Sequence, residues 1–168
     1  FFFFILALGA QAGEYYKDVA VDLCFTPGGT CTDRIVAEIN SGRFEILVQA
    51  YSFTSANIAK ALANAHKRGV RVEVILDKSQ RTAQYSWATF LANMRIPTYI
   101  DARHAIAHNK IIIIDSTTTI TGSFNFTQAA QEKNAENLLI IRSKEIAEAY
   151  RENWFDHRKH SEKYEARY

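Results

Sequence analysis

Four consecutive isoleucines, Ile111 to Ile114, lie between a polar head, His108-Asn109-Lys110, and a polar tail that begins at Asp115. A strand turns successive side chains to opposite faces, so four apolar residues in a row leave neither face for water. Such a strand needs a covering layer on each side, which narrows the fold to a sheet held between helices. The rest of the pattern agrees. Strand-like runs are read at Val21 to Phe25, Phe44 to Tyr51, Val70 to Leu76, Pro97 to Ile100, 108–114, 119–122 and 136–142. Helices are read at Thr32 to Ser41, with Thr32 as N-cap and Gly42 past its end, and at Ser55 to Arg68, closed by Gly69. Two more are read at Ala83 to Met94 and from Lys144 to about His157. The expectation is one α/β domain, an α/β/α sandwich around a mixed sheet. Its central strands are those at Glu45 to Val48 and Val72 to Ile75, with strand 108–114 beside them.

The same central strand carries polar chemistry at its ends. His108 and Lys110 are two residues apart and project from one strand face. Ser123 and Asn125 share that spacing and line the same cleft if 119–122 pairs with 108–114. An imidazole, an ammonium, a hydroxyl and a carboxamide then converge. That set suits an anionic tetrahedral centre such as a phosphodiester, supplying a nucleophile or acid, a fixed positive charge and neutral donors. Asp115 is an odd number of residues from His108, so its side chain points to the opposite face and is expected to hold the strand and its turn.

These residues follow the pattern H-x-K-x4-D-x6-G-S-x-N, with His108, Lys110, Asp115, Gly122, Ser123 and Asn125 at the typed positions, and Glu136 follows within NAENLL. The pattern resembles that of the phospholipase D superfamily, and the context DARHAIAHNK is similar to that of its small bacterial endonucleases. The resemblance covers nearly all the chain after its first dozen residues. It implies the α/β/α fold and an active centre built from two motif copies about a two-fold axis. This chain carries the full pattern once only, since His157-Arg158-Lys159 repeats the H-x-K without the residues that follow it, so the resemblance implies a homodimer. In-line chemistry asks for the same thing, since one imidazole cannot both attack phosphorus and protonate the oxygen leaving from the far side. The implied cycle runs through a phosphohistidine on His108, with the second His108 as general acid. Lys110, Asn125 and Ser123 would stabilise charge, and Glu136 would accept a hydrogen bond from the other His108 nitrogen. Gly122 is expected to let backbone approach the phosphate, Arg103 to border the groove, and Thr127 to cap a short following helix.

Composition bounds the rest. A 168-residue chain with 48% hydrophobic and 23% charged residues is about one domain's worth of globular protein. Its net charge of +2 is too small to point to a nucleic-acid binder by itself, so basic residues near the motif carry that argument. Residues 1–12 read as a truncated signal peptide cut near Ala12, leaving 13–168 as the domain and a secreted or periplasmic location; an uncleaved anchor is the competing reading. Cys24 and Cys31 flank a turn-forming stretch, and in an exported protein they are expected to form one disulfide. No carboxylate cluster suggests a metal site, and His157 and His160 read as surface residues. Hydrolysis without metal or cofactor is therefore expected. DNA, with RNA also open, is the expected substrate class. A phospholipid substrate is the alternative, and a non-catalytic nucleic-acid-binding module is a third reading.

Overall fold

Every residue of the strand Glu45–Ala50 (β2) is buried, including Gln49 and Glu45, so this strand sits deepest in the sheet. The computed structural model describes residues 15–166; the signal-peptide reading at 1–12 lies outside the described residues. On one side β2 pairs in parallel with Arg71–Asp77 (β3), and β3 with Thr98–Asp101 (β4). On the other it pairs antiparallel with Lys110–Ile114 (β5), followed by Thr118–Gly122 (β6), Glu136–Arg142 (β7) and Ala20–Thr26 (β1). A two-residue strand, Glu162–Lys163 (β8), closes the far edge against β4, giving the order β1-β7-β6-β5-β2-β3-β4-β8. The mixed sheet and the central place of β2, β3 and β5 agree with the expectation.

The isoleucine run divides between two cores, as its alternation requires. Ile112 and Ile114 face a core shared with helices Cys31–Ser41 (α1) and Ala56–Lys67 (α2), where Ile35, Ile39, Ile58 and Leu62 are fully buried. Ile111 and Ile113 face the other side, with Leu47, Ile75 and Tyr99, under Ala147 and Trp154 of the long helix Lys144–His160 (α5). Trp154 Nε1 donates to Val48 O at 2.9 Å, so the largest ring of that layer buries its polar atom with a partner. Losing one isoleucine here would cost about 2–5 kcal/mol in transfer and cavity terms.

Local capping departs from the sequence reading in two places. α1 starts at Cys31 with Thr30 before it, and Thr32 is inside the helix, its N–H donating to Gln131 Oε1 at 2.8 Å. The Cys24–Cys31 disulfide ties the end of β1 to the first turn of α1. Of the stretch read as one helix over 83–94 only Ala88–Asn93 (α3) is helical; residues 82–87 form turns and a bend after a 3-10 turn at Lys78–Arg81. Trp87 explains the break: its indole N–H donates to Thr54 O and its backbone N–H to Phe53 O, which holds 82–87 against the end of β2. Ser55 does cap α2 and Thr127 caps the short helix Gln128–Glu132 (α4), accepting from Ala130 N at 3.1 Å.

Candidate active site

The site grows from the point where β5 begins. Lys110 opens that strand opposite Ala50, and the next rung is Tyr51 N–H donating to Asn109 O at 2.8 Å. One residue before His108, the Ala107 N–H donates to the buried Asp77 carboxylate at 2.8 Å. His108 is thus held from both sides by backbone while its side chain remains exposed, its ring tilted over Tyr51 with centroids 4.6 Å apart.

Lys110 is only 7% exposed, and Nζ donates to His108 O at 2.8 Å and lies 5.2 Å from the Tyr51 ring centre. Burial pushes its ammonium below the usual lysine range, and the nearby charge of Glu136 works against that fall. Glu136 starts β7 and shares strand parity with Leu138 and Ile140, which places it on the α1/α2 face of the sheet with Lys110. Ser123 Oγ donates to Glu136 Oε2 at 2.6 Å and accepts from Asn137 N at 3.0 Å, while Asn134 Nδ2 donates to Glu136 Oε1 at 3.0 Å. Glu136 therefore makes its hydrogen bonds to Ser123 and Asn134, and the expected bond to His108 is not formed within one chain. Asn125 has its Oδ1 buried without a hydrogen-bond partner, so its amide keeps bonding capacity in hand. An exposed imidazole, a buried ammonium, an ordered serine–glutamate pair and an uncommitted carboxamide are equipped to bind and attack a phosphoryl group.

Two residues of the sequence pattern, Asp115 and Gly122, and Arg103 outside it, make contacts other than those expected. Asp115 is at the opposite end of β5, where its carboxylate accepts from the backbone N–H groups of Arg43, Phe44 and Glu45 at 2.9, 2.8 and 2.9 Å. Its part is to clamp the entrance of β2 and it touches none of the reacting groups. Gly122 does need a close backbone approach, but to protein: a Cβ there would lie 2.3 Å from Asn137 O, at a φ of +146°. Arg103 is exposed on the loop between β4 and β5, its backbone N–H donating to Asp101 Oδ1 at 3.1 Å.

Two contributors escape the sequence reading. Tyr51 reads as the last residue of an ordinary strand, and only the β2–β5 register brings it to His108. Asp77 lies just past the strand read to Leu76; its other oxygen accepts from Ser79 N at 2.8 Å.

A second polar cluster corrects the reading of His157 and His160 as surface residues. Asp101, the last residue of β4, has no exposed surface, and His157 and His160 of α5 are largely buried against it, with His104 beside them. Three ring nitrogens approach one oxygen, Asp101 Oδ2: His157 Nδ1 at 2.7 Å, His104 Nδ1 at 3.0 Å and His160 Nε2 at 3.4 Å. Burial alone would raise the Asp101 carboxyl, but hydrogen bonds from His157 and His104 outweigh it and hold the group at about 2. The recoverable signal was the paired i, i+3 spacing, Asp101 with His104 and His157 with His160.

Comparison with known proteins places this geometry in a wider group. The family described as "Cardiolipin synthase, PLD-like domain" matches residues 35–159. A Rickettsia conorii protein named phospholipase D is 45% identical over 156 residues, covering 90% of this chain and 78% of the relative. The mitochondrial cardiolipin hydrolase of Xenopus laevis is 30% identical over 121 residues, 72% of this chain and 58% of that protein. The crystal structure of a phospholipase D family member, Nuc from Salmonella typhimurium, superposes with a TM-score of 0.83 at 38% identity, over 88% of this chain and 99% of that one.

Proposed function

This chain belongs to the phospholipase D-like family and is a phosphodiesterase of that superfamily; from that premise we propose that it is an endonuclease hydrolysing DNA, without metal in the reaction, at an active site shared by two copies of the chain. The observation that carries this reading is that, among the described residues, the motif cluster of one chain holds one imidazole, the exposed His108, beside one buried ammonium, Lys110. Two such half-sites facing across a two-fold axis supply both ends of an in-line displacement. One His108 nitrogen bonds to phosphorus as the bond to the leaving sugar oxygen breaks, and the partner His108 gives that oxygen a proton. The partner then takes a proton from water, which displaces the first His108 and leaves a phosphate monoester. The Lys110 ammoniums balance the phosphoryl charge, the task a divalent ion performs in other phosphodiesterases.

Nucleic acid is favoured by the resemblance to small endonucleases and by exposed Arg103 on the loop that leads to His108, a positive charge suited to a polyanion. No element suited to reading base edges accompanies the site among the described residues, so cleavage with little sequence preference is proposed. An oxidising compartment outside the cytoplasm is proposed as its setting, in keeping with the Cys24–Cys31 bridge. A second reading, hydrolysis of a phospholipid, is favoured by the relatives named phospholipase D and cardiolipin hydrolase. The deciding experiment offers the purified chain single-stranded DNA, duplex DNA, RNA and cardiolipin vesicles side by side with chelator present. DNA cleavage as the fastest reaction is expected. Faster turnover of cardiolipin would replace the nuclease reading, and activity that returned only with magnesium would overturn the metal-free chemistry.

A further inference from the structure

We propose that Asp101, His104, His157 and His160 form a site for one divalent transition-metal ion, zinc foremost, which fastens the end of α5 to the loop that leads into His108. The ligand atoms of all four residues lie within 4.8 Å of one another. Zinc bonds of about 2.0–2.1 Å to nitrogen and oxygen put tetrahedral ligands roughly 3.3–3.4 Å apart. Of the three distances to Asp101 Oδ2, 2.7, 3.0 and 3.4 Å, the longest equals that edge, and the other two need open by only a few tenths of an ångström.

The crowding itself asks for an ion. A single carboxylate oxygen has about two lone pairs in its plane, and three imidazoles point at this one. The rings stand 4.9 to 5.4 Å apart centre to centre and are mutually tilted by 39 to 58°, so they converge on a point and do not stack. A cation between them would give each nitrogen its own bond and would neutralise the buried carboxylate. Three imidazoles and one carboxylate are a donor set that zinc accepts with four-coordinate geometry, and it fills all four positions without leaving one for substrate.

The placement marks a structural role. Asp101 alternates with Ile100 along β4 and shares the α5 face with Tyr99, whereas Lys110 alternates with Ile111 and shares the α1/α2 face with Ile112. The two groups are also three strands apart in the sheet, roughly 14 Å at ordinary strand spacing. The ion would instead join elements distant in sequence: the end of β4, the 102–109 loop, and the last turn of α5. The chain after α5 is fixed nearby, with Tyr164 N–H donating to Thr98 O at 2.8 Å and the Arg158 guanidinium 3.3 Å from the Tyr99 ring centre.

The test reads metal binding and melting, so it stands apart from the phosphodiesterase reading. The full chain is stripped with chelator, then titrated with zinc against a chromophoric competitor, and separately loaded with cobalt(II). One equivalent per chain is expected, with a four-coordinate cobalt spectrum and a thermal midpoint raised by about 5–10 °C at free zinc near 100 times Kd. His157→Asn with His160→Asn should weaken binding by about 100-fold or more, since even outer partners of a ligand are worth 10–100-fold. Should that pair fail to fold, His104→Ala answers the same question, because its side chain is 43% exposed and its loss leaves the buried layer intact. Absence of stoichiometric binding at micromolar zinc, or unchanged binding in the folded variant, would overturn the proposal.

Discussion

Replacing Asp115 separates a structural from a catalytic part for a residue of the phospholipase D pattern. Its carboxylate accepts three backbone hydrogen bonds, from Arg43, Phe44 and Glu45, in the turn that leads into β2. A hydrogen bond to a charged acceptor contributes about 1.5–3 kcal/mol, and water can replace part of it where the donor is exposed. Only the Glu45 bond is shielded, so counting it at about 1.5–2 kcal/mol and the two exposed ones at about 0.5 each gives about 2.5–3. Asp115 also has a φ of +52°, a conformation that costs alanine about 1 kcal/mol more than it costs Asp or Asn. Asp115→Ala should therefore lose about 3.5–4 kcal/mol, and Asp115→Asn, which keeps one acceptor oxygen and tolerates that φ, about 1–2. With a urea slope of about 2 kcal/mol/M, the alanine variant's midpoint falls by about 1.5–2 M. Turnover per folded chain, measured well below the melting temperature, should stay within about twofold, because Asp115 lies a full strand length from Lys110. An unchanged urea midpoint with abolished turnover would refute the clamp and return Asp115 to the chemistry.

Other substitutions probe the remaining contacts. Glu136→Gln keeps an acceptor for Ser123 but removes the charge that supports the Lys110 ammonium. The active, protonated Lys110 is lost as pH rises through its pKa, so the alkaline limb of kcat/KM should move to lower pH; a limb that stays or rises would contradict the coupling. Gly122→Ala must place its Cβ against Asn137 O and should lose about 2–3 kcal/mol in urea unfolding, whereas a neutral result would mean β6 and β7 can part there freely. Asp77→Ala leaves the Ala107 and Ser79 N–H groups without their acceptor and should lower stability by about 2–4 kcal/mol, with a fall in kcat larger than any rise in KM. Wild-type kcat in that variant would show that His108 does not depend on the Ala107 anchor.

Much of this was legible in the sequence because it is periodic or local. Ile111 to Ile114 announce a strand covered on both faces, and Thr127 announces the short helix it caps. His108, Lys110, Ser123 and Asn125 are separated by a hairpin, so short-range spacing brings them near one another. What sequence spacing did not carry was set by docking. Tyr51 meets His108 through a register between β2 and β5 that no local pattern encodes. Asp101 meets His157 only because α5 returns across the sheet and β8 adds to β4, bringing together residues 56 apart in the chain. The helix read over Ala83 to Met94 is shortened to Ala88–Asn93 for a related reason: Trp87 gives its polar groups to the segment after β2, and this tertiary contact overrides a weak helical preference.

The shared site is tested most directly by titrating wild-type chain with His108→Asn chain, co-refolded at fixed total concentration so that dimers form at random. If each active centre needs a His108 from both copies, activity falls as the square of the wild-type fraction, to about one quarter at equal mixing. A linear fall, to about one half at equal mixing, would mean that each chain works alone and would contradict the account.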